Sequence, residues 1–552
     1  MNAPLPPQAT WTTGTTEGFK TGTWRAALPH YIKPPSPCHQ ACPVNGDIAQ
    51  WIGLAHARDF RGAWEVLTRH NPFPAVAGRI CHHPCESACN RGGYDESLAI
   101  CKLERLVGDL ALENGWAFEP PATERAQSVA IVGAGPSGLS AAFQLRRRGY
   151  RVTLYESRSE LGGLMRYGIP AYRLARSVLD GEIARIVALG VQVRHELLSS
   201  AQDFEHLRAT HDAVYLAVGA ARPKRLPQLP AQAPWLMDGA EYLARTNAGA
   251  PPVLGKRLVV IGGGSAALDA ARSARRAGHQ VTILSLEPAA KMPAQRAEVD
   301  EALEEGIALA DGAMLKAVTP TRGLGLVLSC QCVFFEPGPV RGQFTVEPIK
   351  NGEFTLEADA IVTSIGQDPE LAALAASLTV DGGLLVVDAR QAASQQGVWA
   401  GGDAASMARF VTEAMGMGKR AALDIDRVLS GQALPADGAA GADTAAGLAN
   451  IATWYHPKQA RVAEQRRPPA ERLAGGLEVQ LGLELEKALA EAGRCFSCGS
   501  CTQCDNCFQY CPDLAIVRVE GGYSVLTDYC KGCGICVKEC PTGSMTMREE
   551  IR

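Results

Sequence analysis

The pattern of apolar and polar positions changes character several times along the chain. The first 37 residues show no period and are rich in Thr, Pro and Trp, which predicts an extended arm; Phe19, Trp24 and Tyr31 are its candidate docking side chains. From Asp47 to Thr68, Ile48, Trp51, Ile52, Ala55, Ala63, Trp64 and Leu67 recur at helical spacing. At Ser128 the pattern becomes a short apolar strand, a glycine-rich turn, an amphipathic helix and a second strand. The same unit returns at Arg257. DAIVTSIGQDPE (359–370) and GVWAGGDAASMARFVTEAMGMGKRAALDID (397–426) read as strands returning to the first unit, with a helix from Thr412 onward. Residues 431–450 are a linker by composition, and 451–492 are polar with helical pieces. The predicted layout is thus an arm at 1–37, a helical domain at 38–125, an α/β domain at 126–235 and 359–430, a second α/β domain inserted at 236–358, a linker at 431–492 and a compact end at 493–552.

The turns carry the first chemistry. Gly133-x-Gly135-x-x-Gly138 follows a strand and opens a helix, and Glu156 ends the next strand. That context is the Rossmann fingerprint: a tight turn, a close approach to pyrophosphate, close helix packing, and an acid for an adenosine ribose. Gly262-x-Gly264-x-x-Ala267, with Ser265 at the helix start, repeats it. Two units predict two dinucleotides. After the second unit's second strand come Leu284, Ser285, Leu286 and Glu287, with no Arg for a 2′-phosphate; Glu287 would repel one, which favours NAD(H). Gly402, Asp403 and Thr412 place a carboxylate and a helix start where a flavin's ribityl, pyrophosphate and ring carbonyl would sit. An αβ loop with a capping Asp is the plainer reading of the same residues.

Composition adds a second chemistry. The chain has 552 residues, 46% hydrophobic and 20% charged, with net charge −4. There is no basic field for nucleic acid or anionic membrane, no membrane-length apolar run and no signal peptide, so the expected location is cytoplasmic. Of its 18 cysteines, most are grouped at short spacing, which in a reducing compartment means metal. Cys501, Cys504, Cys507 and Cys511 precede Pro512, and Cys530, Cys533, Cys536 and Cys540 precede Pro541. This doubled C-x2-C-x2-C-x3-C-P run is the spacing of a bacterial two-cluster ferredoxin, in which the fourth cysteine of each run crosses to the other [4Fe-4S] cube. Toward the front stand Cys38-x3-Cys42-Pro43, Cys81-x3-Cys85-x3-Cys89 and Cys101, with His82 and His83 among them as ligands or, more plainly, as solvated or capping side chains. Cys495 and Cys498 precede the ferredoxin run, and Cys330 and Cys332 alternate in a strand-like stretch as packing residues or side chains turned out to solvent.

The region from Cys38 to about Val428 resembles the small subunit of bacterial glutamate synthase and the matching region of dihydropyrimidine dehydrogenase. The resemblance rests on CHQACP, GRICHHPCESAC, VAIVGAGPSGL, GGLMRYGIPAYRL, IGGGSAALDAAR, KMPAQRAEVDEALEEG, TSIGQDPE and GVWAGGDAA. It implies FAD at the first Rossmann unit, with Gly163 and Leu164 of the GGL stretch among its contacts, a nicotinamide dinucleotide at the second, and two N-terminal [4Fe-4S] clusters. The family begins with E-A-x-R-C-x-x-C; here those words stand at Glu491 to Cys498 instead. Carried across by position, the resemblance implies Cys42, Cys81, Cys85 and Cys101 for one cube, and Cys38, Cys89, Cys495 and Cys498 for a second. Cys501, Cys504, Cys507 and Cys540 would take a third, and Cys511, Cys530, Cys533 and Cys536 a fourth. The implied route joins NAD(H), FAD and the clusters, with no catalytic side chain beyond those that orient the rings. Fused ferredoxin versions resemble the electron-transfer subunits of anaerobic 2-oxoacid oxidoreductases of the phenylglyoxylate dehydrogenase type, whose thiamine-diphosphate chemistry lies in partner subunits. The alternatives are a stand-alone NAD(P)H:ferredoxin oxidoreductase, a glutamate synthase small subunit, or an iron–sulfur scaffold with vestigial nucleotide sites.

Overall fold

A computed structural model describes residues 25–321, 325–339, 342–433 and 444–550. The first α/β unit is a five-stranded parallel sheet in the order Val398–Ala400, Ala213–Leu216, Ser128–Val132, Arg151–Tyr155, Gln192–Arg194. Its apolar strands are buried on both faces, as parallel strands flanked by helices must be. On one face Val129, Ile131 and Leu154 pack with Phe143 and Leu145 of the helix Pro136–Arg147 and Met415 of the helix Val411–Leu429. On the other, Ala130 and Val132 meet Phe204, Leu374 and Leu385.

The chain leaves this sheet after Leu216 and builds a second one before returning at Val398. The second is also five-stranded and parallel, in the order Ala308–Ala310, Gln280–Leu284, Arg257–Ile261, Ala360–Thr363, Leu236–Asp238. Leu258 and Val260 face the helix side, while Val259 and Ile261 face an antiparallel meander of Ala313–Pro320, Leu326–Pro337 and Phe344–Ala358. One predicted boundary is corrected here. Ala360–Thr363 pairs with Arg257–Ile261, so the stretch from 359 opens in the second sheet and not in the first. The two segments that cross between the sheets pair with each other, Arg222–Pro223 against Gln367–Asp368.

The predicted helical domain forms the helices Ile48–His56, Phe60–Thr68, Pro74–Ile80 and Ile100–Glu113. Trp51, Ile52, Trp64 and Leu67 fill its core. Gly78 and Gly108 let two of these helices touch backbone to backbone: a Cβ on Gly78 would lie 2.4 Å from the Arg105 nitrogen, and one on Gly108 2.2 Å from that of Ala75.

A further part of the predicted layout changes. Residues 451–492 are no free linker: Val479, Leu483, Ala488 and Leu489 are buried, and Leu483, Ala488 and Ala492 join the helical domain's core. The segment adheres through charge as well, with Glu478 accepting from Arg79 at 2.7 Å and from Arg105 at 2.9 Å. The arm is extended but paired. Ala27–Tyr31 is a strand hydrogen-bonded antiparallel to Met545–Glu549 at the far end of the chain; Phe19 and Trp24 lie outside the described residues. Cys330 is buried and Cys332 half-buried in the meander strand, so both are packing residues.

Candidate functional site

The first glycine turn is shaped by three different demands. Gly133 has φ 102° and no room for a side chain, since a Cβ would meet the Ala217 carbonyl at 2.3 Å. Gly138 lies where a Cβ would sit 1.9 Å from the Gly133 carbonyl. Gly135, by contrast, faces open space: nothing lies within 4 Å of a Cβ there. The turn therefore leaves a cradle over its middle glycine, at the N-terminus of a 12-residue helix. Glu156 is buried below it, its carboxylate accepting from Ala134 N at 2.9 Å and Arg158 N at 2.8 Å. Gly163, at φ 52°, lays its backbone over Gly135, with a Cβ position 2.8 Å from the Gly135 Cα, and Leu164 begins the short helix beyond. Gly402, at φ 67°, packs on Ser137, and Asp403 lies 3.8 Å from Arg409. Gly418 in the helix Val411–Leu429 comes so near that a Cβ would stand 2.1 Å from the Ser137 carbonyl. Gly163 and Gly402 are thus drawn from separate segments to the first turn, with Asp403 next in sequence to Gly402 and Thr412 on the helix that carries Gly418.

The second turn repeats the geometry. Gly262 (φ 140°) is pressed against the Ser364 carbonyl and lies near Ala267, while Gly264 faces open space. Beside it, Glu287 accepts from the Ser285 hydroxyl at 2.9 Å, and a Cβ on Gly263 would come 2.6 Å from the Glu287 carboxylate. Ser265 differs from expectation in one respect. Its hydroxyl donates to Glu298 at 2.6 Å, so its own contribution to a ligand would come from its backbone N–H. The two α/β units are joined at this level by Arg173, which donates to Asp269 at 2.7 Å and lies 2.5 Å from Glu298.

The cysteines converge in four groups of four. Cys42 and Cys81 end two helices, and Cys85 and Cys101 begin two others. Burial, followed by the Glu104 carboxyl, pushes Cys42 up to about 12, and burial followed by the neighbouring thiols pushes Cys85 and Cys101 higher, whereas the hydrogen bond with Cys101 brings Cys81 down. The Cys81 thiol also donates to Thr412 Oγ1 at 3.6 Å, which sets this group against the helix that flanks the first glycine turn. Among these cysteines, His83 is kept neutral by burial, down to about 4, and its ring, a Glu86 oxygen and the Cys101 sulfur lie within 4.8 Å of one another. His82 stacks on Phe410 at 3.7 Å.

The second group spans the chain. Cys38 and Cys89 from the front stand beside Cys495 and Cys498 from the far end; burial and the neighbouring thiols push Cys38, Cys495 and Cys498 up to about 12. Asn90 donates to the Cys498 sulfur at 3.3 Å, and Ser36 Oγ lies 3.1 Å from the Cys38 sulfur. The displaced motif residues hold the far end in place. Glu491, fully buried, accepts from Ala99 N at 2.8 Å, Val462 N at 3.0 Å and Arg494 at 2.8 Å. Arg494 donates in turn to the Glu96 carbonyl at 2.6 Å, and Phe496 packs on Tyr94 and His456.

The last two groups line two cavities of the C-terminal end. One is walled by Cys501, Cys504, Cys507 and Cys540 with Tyr31 and Tyr523; the other by Cys511, Cys530, Cys533 and Cys536 with Pro29 and Ile535. This is the crossed pairing expected of the doubled run. Thiolates gathered this closely repel one another, and a metal centre would supply the positive charge that lets them ionise together. The donor sets fit iron–sulfur clusters, and the two open glycine cradles fit pyrophosphates.

These features define a nucleotide-dependent oxidoreductase that also binds iron–sulfur clusters. The chain belongs to the pyridine nucleotide-disulphide oxidoreductase family, whose description matches residues 127–418. Residues 33–116 match dihydropyrimidine dehydrogenase domain II, 4Fe-4S cluster, and 523–546 match a 4Fe-4S binding domain. The chain is 33% identical over 500 residues to the NADP(+)-dependent formate dehydrogenase subunit beta of Moorella thermoacetica, covering 83% of this chain and 70% of that one. It is 34% identical over 379 residues to the NADPH-Fe(3+) oxidoreductase subunit beta of Geobacter sulfurreducens, covering 66% of this chain and 56% of that one. With the NAD-dependent dihydropyrimidine dehydrogenase subunit PreT of Escherichia coli it shares 32% over 403 residues, 72% of this chain and 92% of that one. The protein is an NAD(P)H-dependent FAD/iron–sulfur oxidoreductase. No helix among the described residues is long and apolar enough to cross a membrane.

Ser36, Asn90, the Cys507 partner of Tyr31 and the packing of 451–492 escaped sequence reasoning, while Tyr31 was expected only to dock. Only Glu491 and Arg494 carried a signal, through the displaced motif.

Proposed function

We propose that this chain is an electron-transfer subunit that moves electrons between NAD(H) and four [4Fe-4S] clusters by way of FAD. FAD, when bound, exchanges two electrons with nicotinamide and one at a time with a cluster. The chain's own residues do the rest. Gly133, Gly135, Gly138, Glu156, Gly163, Leu164, Gly402, Asp403 and Thr412 would hold FAD; Gly262, Gly264, Ser265, Ala267 and Glu287 would hold NAD(H). The position of Glu287 beside the second turn supports NAD over NADP, because its carboxylate would oppose a 2′-phosphate. The observation that carries the reading is the contact between Cys81 and Thr412, which joins the first thiol group to the flavin-side helix. From there the thiol groups lead through Cys38, Cys89, Cys495 and Cys498 to the C-terminal cavities.

The partner is proposed as the thiamine-diphosphate subunits of a 2-oxoacid oxidoreductase, whose electrons would reduce NAD+ in the cytoplasm. The fused ferredoxin end supports this, and two relatives named as subunits of dehydrogenases support a catalytic partner subunit in general. The protein isolated anaerobically from its native host would then carry large thiamine-containing subunits.

The test is spectroscopic and analytical. NADH should bleach the bound flavin faster than NADPH does, and iron should amount to about sixteen atoms per chain, four per cube. The double substitution Cys495→Ser, Cys498→Ser should remove about four of them. Unchanged iron in that variant sinks the four-cluster assignment, and no bleaching by either nucleotide favours the iron–sulfur scaffold.

A further inference from the structure

The N-terminal strand touches the C-terminal cysteine loops more closely than a packing contact requires. Its backbone, and that of Pro34 just beyond it, lie against two glycines of those loops. A Cβ on Gly499 would meet the Pro34 carbonyl at 1.9 Å, and one on Gly532 would meet the Ala27 carbonyl at 2.2 Å. The strand is fixed in register by pairing with Met545–Glu549, by Ile32 N donating to the Ser544 carbonyl at 2.9 Å, and by Arg25 donating to Glu550 at 2.6 Å. At the end of this strand, Tyr31 stacks on Tyr523 at 6.3 Å and forms part of the cavity wall formed with Cys501, Cys504, Cys507 and Cys540. Its hydroxyl donates to the Cys507 sulfur at 3.2 Å.

A hydrogen bond to a cluster sulfur favours the more negative, reduced form, and so raises the potential at which the cluster accepts an electron. We propose that Tyr31 is a positioning residue that raises the potential of the cluster held by Cys501, Cys504, Cys507 and Cys540. The lever is delivered from the opposite end of the chain. The ferredoxin end thereby acquires its working potential only when the N-terminal strand is seated. The inference rests on the reading of these four cysteines as cluster ligands.

The test is an anaerobic redox titration of the full-length, cluster-loaded protein followed by EPR, with Tyr31→Phe against wild type. Phe keeps the ring, and with it the stack and the strand, and removes the donor alone. The signal is assigned as the one that Cys507→Ser abolishes, and the cluster of Cys511, Cys530, Cys533 and Cys536 is the internal reference. The expected result is a fall of about tenfold in the reduced-to-oxidised ratio of the first cluster at fixed potential, ~59 mV for one electron, with the reference cluster unmoved. A change below twofold, or an equal shift of both clusters, overturns the role of the Tyr31 hydroxyl. If Cys507→Ser removes neither signal nor iron, the ligand reading itself fails and the inference falls with it.

Discussion

Glu182 shows how a single buried carboxyl ties two domains together. It sits on the helix Arg176–Val187 with no exposed surface, and accepts from Ala75 N at 2.9 Å and Val76 N at 3.0 Å, at the start of the helix Pro74–Ile80. Burial outweighs those two donors and pushes its carboxyl up to about 8. The sign follows from proton counting. With a folded pKa above the unfolded one, the native state binds the extra proton, so the stabilisation is complete below the unfolded value near 4.5 and is lost as pH rises through about 8. Wild type should lose stability relative to Glu182→Gln across that window, with a slope of at most about 1.4 kcal/mol per pH unit. Urea midpoints of both proteins at three values of pH between 5 and 8 check this; a difference that does not change with pH rejects it. The glycines were legible at this same scale, because a turn that must bend and admit a ligand leaves few residue choices: Gly133 and Gly262 stand at positive φ, and Gly135 and Gly264 face open space. Tyr31 was legible as a docking side chain but its partner was not, because nothing local points to a cysteine 476 residues away.

At the scale of elements, periodicity revealed the strands and helices that pack in regular layers, and misjudged the one that does not. Residues 451–492 adhere through scattered contacts and buried charge, with Arg472 paired to Glu304 and Glu478 to Arg79 and Arg105, and such contacts have no period to detect. The misplaced boundary at Ala360–Thr363 has a related cause: an apolar strand declares itself by composition, but its choice of sheet is settled by partners distant in sequence. The helix Leu485–Gly493 and its following turn show what this segment does. Glu491 and Arg494 form a buried pair: Glu491 also accepts from Ala99 N and Val462 N, and Arg494 also donates to the Glu96 carbonyl and to the Asp95 carboxylate at 3.3 Å. Removing one member of a buried pair costs about 3–5 kcal/mol, because the other charge is left uncompensated. Glu491→Ala should therefore loosen Cys495 and Cys498 from Cys38 and Cys89, lower the melting temperature and lose about four iron atoms per chain, the content of one cube. The doubled run at 501–540 should retain its iron. Unaltered iron and melting together contradict the proposed role of the pair.

The whole molecule is interlocked at its ends. The N-terminal strand lies on the C-terminal cysteine loops, and the segment carrying Cys495 and Cys498 lies in the N-terminal helical domain. Covalent continuity between Gly431 and Thr444 should then matter less than these contacts, since residues 444–550 are held by buried apolar side chains, by ion pairs such as Arg461 with Glu86, and by strand pairing. A protease site introduced between Gly431 and Thr444 and cut in the folded, cluster-loaded protein should leave two fragments that co-elute as one species with full iron. NADH should still reduce the C-terminal clusters after the cut, because electron transfer depends on the spacing of the centres and not on the peptide that connects them. Separation of the fragments in native buffer would show that the connecting segment, and not the interlock, holds the ferredoxin end against the flavin domain.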